Sequence, residues 1–187
     1  MKTSNTKKFL RRAVALSCAF TLVVSSAWPA DNAVGEELAV WQSMAEFIAR
    51  DNASRPFKQL YFQTDFESAP LVTNSMADPT RREYKDLCGL STAEAQAMVA
   101  QLQAVNAAPV AIQESIAEPA GFKIGKKKKP GARYVALSRV VFDPSIQHAW
   151  VAVDLSGTAG AIMRLDKVAG QWSKTARCGG WLKAEAE

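Results

Sequence analysis

The stretch HAWVAVDLSGTAGAIMRLDKVAGQWSKTARC, residues 148–178, decides the fold. It contains three short runs rich in β-branched and other apolar residues, namely His148 to Leu155, Gly160 to Lys167 and Gln171 to Cys178. Between the runs lie Ser-Gly-Thr and Ala-Gly, which are typical of turns. Short apolar runs separated by turns at regular intervals predict the strands of an antiparallel meander.

A fourth run extends the meander toward the N terminus. It covers Tyr134 to Phe142 and is followed by the turn residues Asp143-Pro144-Ser145. Because side chains alternate between the two faces of a strand, one set of apolar residues shares a face. This set is Ala149, Val151, Val153, Ala161, Met163 and Leu165. We therefore predict about four strands with one buried face, on which helices pack.

The first half of the chain supplies the helices. Apolar residues recur every three or four positions from Val34 to Ile48, which predicts an amphipathic helix. A second helix, from Thr92 to about Asn106, follows the capping-box sequence Ser91-Thr92-Ala93-Glu94. A short helical turn leads from Asp78 to Cys88, and residues 57–71 predict one strand. The expected class is α+β, with N-terminal helices packed on a C-terminal antiparallel meander.

Residues 1–27 have the order of a secretory signal peptide. Five basic residues without an acid precede an apolar run from Ala13 to Val24 and the small residues Ser25-Ser26-Ala27. The run is about 12 residues long, whereas a membrane-spanning helix needs roughly 20. We expect cleavage after Ala27, with Ala30 as the second choice, and no transmembrane anchor. Residues 28–187 are then expected to form a single α+β domain in the periplasm or outside the cell.

Removal of this segment changes the charge balance. The chain has 23 basic and 18 acidic residues, and the segment takes away five basic residues and no acid, leaving 18 of each. The basic pI of the whole chain therefore gives no support to nucleic-acid binding. We expect no nucleic-acid partner.

Two of the three cysteines predict a disulfide. Cys18 lies in the apolar run of the signal segment and leaves with it. Cys88 and Cys178 remain, and in an oxidising compartment such a pair is expected to be bonded. In the chain-entropy model a closed loop of about 90 residues stabilises the fold by about 4–5 kcal/mol. A redox-active pair would need C-x-x-C spacing, which these two residues lack.

Histidine chemistry is restricted because His148 is the only histidine. A zinc site with several histidines is therefore excluded, and the sequence contains no phosphate loop or G-x-S-x-G motif. A Ser-His-Asp arrangement would have to draw on His148, on Asp143 or Asp154, and on Ser138 or Ser156. Nothing in the local sequence orients His148 for that role. We predict no catalytic residue, metal or cofactor.

Paired carboxylates are the remaining route to an enzyme, because hydrolysis can use two acids alone. The candidate pairs are Asp65 with Glu67 and Asp143 with Asp154. Eighteen acids are enough to make such pairs common by chance. A small cell-envelope hydrolase is therefore the alternative hypothesis, and a non-enzymatic protein is the first.

Two features are candidates for contact with a partner. The first is a run of four lysines, Lys126, Lys127, Lys128 and Lys129, which follows Gly121 to Gly125 and precedes Pro130-Gly131. This composition indicates an exposed loop that either only improves solubility or contacts an acidic protein or, transiently, an anionic surface. The second is Trp150, which we expect on the exposed face of the sheet because it lies opposite Val151.

The C-terminal third resembles uncharacterised exported bacterial domains that have an L-S-R-x-x-F strand and a closing G-x-W strand. The matching residues are Leu137-Ser138-Arg139-Val140-Val141-Phe142, Ala149-Trp150-Val151, Gly157 to Gly160, Leu165 and Gly170-Gln171-Trp172. The resemblance implies a cystatin-like arrangement of helix on sheet, an envelope location and no activity. Small proteins of this shape bind or inhibit other proteins. We therefore expect a protein that binds or inhibits another envelope or secreted protein, as an immunity protein does for a toxin.

Overall fold

The computed structural model describes residues 30–52, 60–63, 78–107, 116–118, 122–125, 133–155 and 158–182. Within these ranges the chain forms three helices and one sheet of seven strands. The helices are α1 (Ala30–Asn52), α2 (Arg82–Cys88) and α3 (Thr92–Val105). The strands are β1 (Leu60–Gln63), β2 (Phe122–Gly125), β3 (Arg133–Leu137), β4 (Val141–Phe142), β5 (His148–Leu155), β6 (Ala159–Val168) and β7 (Gln171–Leu182). The α+β class is confirmed.

The sheet combines an antiparallel part with a parallel part. Its strand order is β2-β1-β3-β5-β6-β7, and β4 also pairs with β5. The antiparallel pairing of β3, β5, β6 and β7 confirms the predicted meander. On the other side, β1 runs parallel to both β2 and β3. The expectation that Gly121 to Gly125 belong to a loop is wrong, because Phe122-Lys123-Ile124 has the alternation of a strand and pairs with β1.

Both faces of the sheet are covered by helices. On one face α1 packs on alternate residues of the meander, in a cluster that includes Val40, Trp41, Met44, Ala149, Val151 and Val153. On the other face α2 and α3 form a second cluster that includes Tyr84, Met98, Leu102, Trp150, Ala152 and Ile162. The residues predicted to share one face of the sheet do so. The prediction that helices cover only this face is wrong, because helices cover both faces. The continuous apolar run Ala149 to Val153 is typical of a strand buried on both sides.

The predicted strand from Tyr134 to Phe142 is interrupted by a β-bulge. Leu137 pairs with Val153 at the end of β3, and Val141 pairs with Trp150 at the start of β4. Three residues, 138–140, thus lie opposite two residues of β5, 151 and 152. Ser138 maintains the ladder, because its amide donates to the Ala152 carbonyl at 2.9 Å and its hydroxyl accepts from the Ala152 amide at 2.8 Å.

The capping box of α3 is confirmed. The Ser91 hydroxyl accepts from the Glu94 amide at 3.3 Å, and the Glu94 carboxylate accepts from the Ser91 amide at 2.8 Å. Together these bonds satisfy two amides that a helix start otherwise leaves without partners. Among the described residues, no helix has both the length and the apolar character needed to span a membrane.

The predicted disulfide is present and joins the end of α2 to β7. The Cα atoms of Cys88 and Cys178 are 5.3 Å apart, and both residues are buried. They lie in the cluster that packs α2 and α3 on the sheet. The bond therefore anchors the layer formed by α2 and α3 to an edge strand.

Polar contacts attach α1 to the last two strands. Glu36 accepts from the Lys167 ammonium and from the Trp172 indole nitrogen, the latter at 2.8 Å. Ser43 donates to the Trp172 carbonyl at 2.8 Å. The partners are between 129 and 136 residues apart in the chain. The start and the end of the described chain therefore meet on one face of the sheet.

Candidate functional site

A groove lies between α3 and the turn that connects β4 to β5. It has a volume of about 550 Å³, which is in the range of pockets that bind ligands. The residues on the helix side are Leu90, Glu94, Ala97, Met98, Gln101 and Val105. The residues on the opposite side are Val140, Val141, Phe142, Asp143, Pro144 and Ile146. Most of these side chains are apolar, so the groove is a candidate binding site.

Trp150 also lines this groove. Its direction opposite Val151 agrees with the predicted alternation, but the expectation that it is exposed is wrong. It is 7 % exposed, because α3 covers that face of the sheet. Within the described ranges its indole N–H has no hydrogen-bond acceptor. A buried donor without an acceptor costs about 1–3 kcal/mol. A partner contact through Trp150 stays a prediction.

Asp143 holds the turn between β4 and β5 in one conformation. Its carboxylate accepts from the hydroxyl and amide of Ser145 and, at 2.8 Å each, from the amides of Gln147 and His148. Burial alone raises the pKa of Asp143, but these hydrogen bonds outweigh it and the pKa lies below its ordinary value. Ile146 in this turn has a φ of 51°, which is unfavourable for a β-branched residue. The turn is therefore a fixed wall of the groove.

The charged residues that line the groove are acids. Glu94 is hydrogen-bonded to Ser91, and these bonds keep the pKa of Glu94 below its ordinary value. Among the described residues, neither Glu94 nor Asp143 forms an ion pair, whereas Glu36 is paired with Lys167. In the part of the chain that the structure describes, no lysine, arginine or histidine lines the groove. The groove therefore combines apolar walls with two uncompensated carboxylates.

The β-bulge connects the wall of the groove to both helix layers. From α1, Trp41 Nε1 donates to the Ser138 carbonyl at 2.9 Å, and Glu37 Oε1 accepts from the Val140 amide at 2.8 Å. From the end of α3, Asn106 Oδ1 accepts from the Arg139 amide at 2.9 Å. Glu37 and Asn106 are buried. The L-S-R segment therefore has a structural role, because its bonds fix the position of Val140 and Val141.

His148 lies at the start of β5, as predicted, in a cluster with Asp166 and Arg164. His148 Nδ1 is 2.8 Å from Asp166 Oδ1 and 3.0 Å from Arg164 Nη2. Arg164 also donates to Asp166 at 2.7 Å and to the Cys88 carbonyl at 2.6 Å. Burial raises the pKa of Asp166, but the hydrogen bonds from Arg164 and His148 outweigh it and the pKa lies below its ordinary value.

This cluster differs from the Ser-His-Asp arrangement that the sequence allowed. The acid beside His148 is Asp166, which faces it across the β5–β6 pair. The hydroxyl of Ser138 is occupied, since it donates to the Arg139 carbonyl at 2.6 Å and accepts from Ala152. Within the described ranges, no serine hydroxyl is bonded to His148. The cluster therefore has the geometry of an ion pair rather than of an activated nucleophile.

The carboxylate pair Asp143 and Asp154 is too widely separated for catalysis. Asp143 is bonded to the amide of His148, and Asp154 lies six residues further along β5. At about 3.3 Å per residue the two acids are roughly 20 Å apart, whereas paired catalytic carboxylates lie about 5–10 Å apart. The described residues also contain no cluster of three or more His, Cys, Asp or Glu that would hold a metal.

Several predicted site residues lie outside the described residues. They are Asp65 and Glu67, Ser156, and the lysines Lys126, Lys127, Lys128 and Lys129. The predictions for them therefore remain predictions.

Sequence reasoning identified Trp150 but not the groove beside it. The groove joins α3 to residues 140–146, which are distant in the chain, and a single sequence contains no signal for that contact. The resemblance to exported bacterial domains also remains a prediction. Comparison of the chain with family models, with curated proteins and with solved structures finds no match.

Proposed function

We propose that this chain is an exported, non-enzymatic protein that binds or inhibits another envelope or secreted protein. In this proposal the groove between α3 and the β4–β5 turn takes up a segment of that partner. The observation that carries the proposal is the groove itself, with its volume of about 550 Å³ and its largely apolar walls. Apolar surface left open to solvent in a folded domain is typical of a binding site.

The carboxylates of the groove favour binding over hydrolysis. A carboxyl group that acts as a general acid at neutral pH needs a raised pKa. The pKa values of Glu94 and Asp143 are instead below their ordinary values, because both carboxylates accept hydrogen bonds. These two acids are therefore ionised at neutral pH and able to attract a cation, but they are poor proton donors.

Two observations support the proposed location. The first is the order of basic, apolar and small residues in residues 1–27. The second is the Cys88–Cys178 disulfide, because such bonds form and persist in oxidising compartments such as the periplasm. The run Lys126 to Lys129 is proposed as an additional contact with an acidic partner.

A photo-crosslinking experiment tests the groove as the binding site. Ala97 and Ala100 are both exposed on α3, but only Ala97 lines the groove. A photoreactive phenylalanine analogue at position 97 should form an adduct with an envelope protein in living cells, and the same analogue at position 100 should not. The partner, identified by mass spectrometry and purified, should bind Ala97→Leu more weakly than Ala100→Leu.

Two results would argue against this function. Equal adducts at positions 97 and 100, or equal affinities of the two leucine variants, would show that the groove is not the site. Release of soluble fragments from purified cell-wall material by the wild-type protein, lost in Asp143→Asn, would support the hydrolase instead.

A further inference from the structure

We infer that the segment bound in the groove is an extended stretch of about five residues that combines apolar side chains with a lysine or arginine. The inference rests on the proposed function and specifies the chemistry of the partner.

The length of the segment follows from the helix that forms one wall. The lining residues of α3 extend from Glu94 to Val105, which at 1.5 Å per residue is about 17 Å. An extended chain covers that distance in about five residues. A helix is about 10 Å wide, so a cavity of about 550 Å³ would admit only one side of it.

The basic residue follows from the charges of the two walls. Glu94 on α3 and Asp143 on the turn both line the groove, and neither has an ion-pair partner in the described part of the chain. The third acid, Glu36, already has Lys167. A cation placed between apolar walls is attracted by these two carboxylates, and an anion is repelled. The groove therefore selects a basic segment over an acidic one.

Calorimetric titration with three capped pentapeptides tests the charge preference. The peptides are acetyl-Leu-X-Phe-X-Leu-amide with X as Lys, Gln or Glu. We expect the Lys peptide to bind about twofold to fivefold more tightly than the Gln peptide, and the Glu peptide to bind most weakly. The advantage of the Lys peptide should shrink in about 0.5 M salt because salt screens the carboxylates.

Matched variants on α3 locate the charge effect. Gln101 lines the groove, whereas Gln96 is exposed on the same helix and does not. Gln101→Lys should abolish the preference for the Lys peptide, and Gln96→Lys should retain it. Equal binding of all three peptides, or a preference for the Glu peptide, would overturn the basic segment while leaving the groove as a binding site.

The same probes separate this inference from the proposed function. If no peptide binds although the photo-crosslink at position 97 forms, the inferred segment is wrong and the groove remains a protein-binding site. If the peptides bind Ala97→Leu as tightly as Ala100→Leu, they bind elsewhere, and both the inference and the groove as the site are wrong.

Discussion

Gly160 lies opposite Trp181 where β6 pairs with β7. A Cβ atom at this position would overlap the indole ring of Trp181 and would lie 2.6 Å from the Val153 carbonyl oxygen. Trp181 is 3 % exposed, so its ring is packed among its neighbours. At the residue scale, glycine is therefore required here by the packing of its neighbours rather than by its backbone angles.

Gly160→Ala should destabilise the fold by about 1–3 kcal/mol, because a side chain is forced into a packed site. Urea unfolding measures this difference. The matched control is Gly35→Ala in α1, where a Cβ meets nothing within 4 Å. The control should be neutral or stabilise the helix by about 0.5–1 kcal/mol. A Gly160→Ala variant as stable as the wild type would contradict the described packing of Trp181.

At the element scale, the disulfide links α2 to β7 across a sequence separation of 90 residues. Removing it with Cys88→Ala and Cys178→Ala together should lower the free energy of unfolding by about 4–5 kcal/mol, because the unfolded chain regains loop freedom. The single variant Cys178→Ala should lose a similar amount, since it breaks the same link. Melting temperature and urea midpoint check both variants, and an unchanged midpoint would show that the link does not stabilise the fold.

Elements defined by local sequence were predictable, and contacts between distant elements were not. The capping box of α3 lies within four residues, and β5, β6 and β7 follow one another with short turns. From the sequence alone β2 was assigned to a loop, because its alternation of apolar and polar residues is short and the glycines and lysines around it are typical of loops. Its pairing with β1 joins Leu60 to Phe122, and a single sequence has no signal for such a distant partner.

The candidate site was predictable only in part, for the same reason. The alternation of β5 predicts which way Trp150 faces, but whether that face is exposed depends on α3. The sequence contains the acids near His148, yet the register that brings Asp166 to it arises only when β5 and β6 pair. The role of Ser138 in the β-bulge was not predictable because a bulge has no periodic pattern of its own.

At the scale of the whole molecule, partly buried carboxylates make stability depend on pH. Burial raises the pKa of Glu36, but its hydrogen bonds with Lys167 and Trp172 lower the pKa by more. The same balance holds for Asp143 and Asp166, whose hydrogen bonds also outweigh the effect of burial. All three pKa values are therefore lower in the folded state than in the unfolded state. Such groups stabilise the fold above the unfolded pKa and lose this contribution as pH falls through the folded pKa.

The urea midpoint should therefore fall as pH drops below 4.5, the ordinary pKa of Glu36, and then below 3.8, that of Asp143 and Asp166. Glu36→Gln should be less stable at neutral pH and should show a shallower decrease on acidification, because one of the three groups no longer titrates. Gln96→Ala, at an exposed site on α3, is the control with an unaltered number of acids. A midpoint that is constant between pH 5 and 3 would contradict the prediction.

The contact between α1 and the last two strands also determines when the molecule can form. Glu36 and Ser43 reach Trp172 across well over a hundred residues, so α1 has no complete surface to pack on until the C-terminal strands have been synthesised. Closing contacts of such high sequence separation is slow, because the chain loses much freedom before the contact is made. The nascent chain therefore remains without its core until its last strands are available, and the fold is completed as a late event.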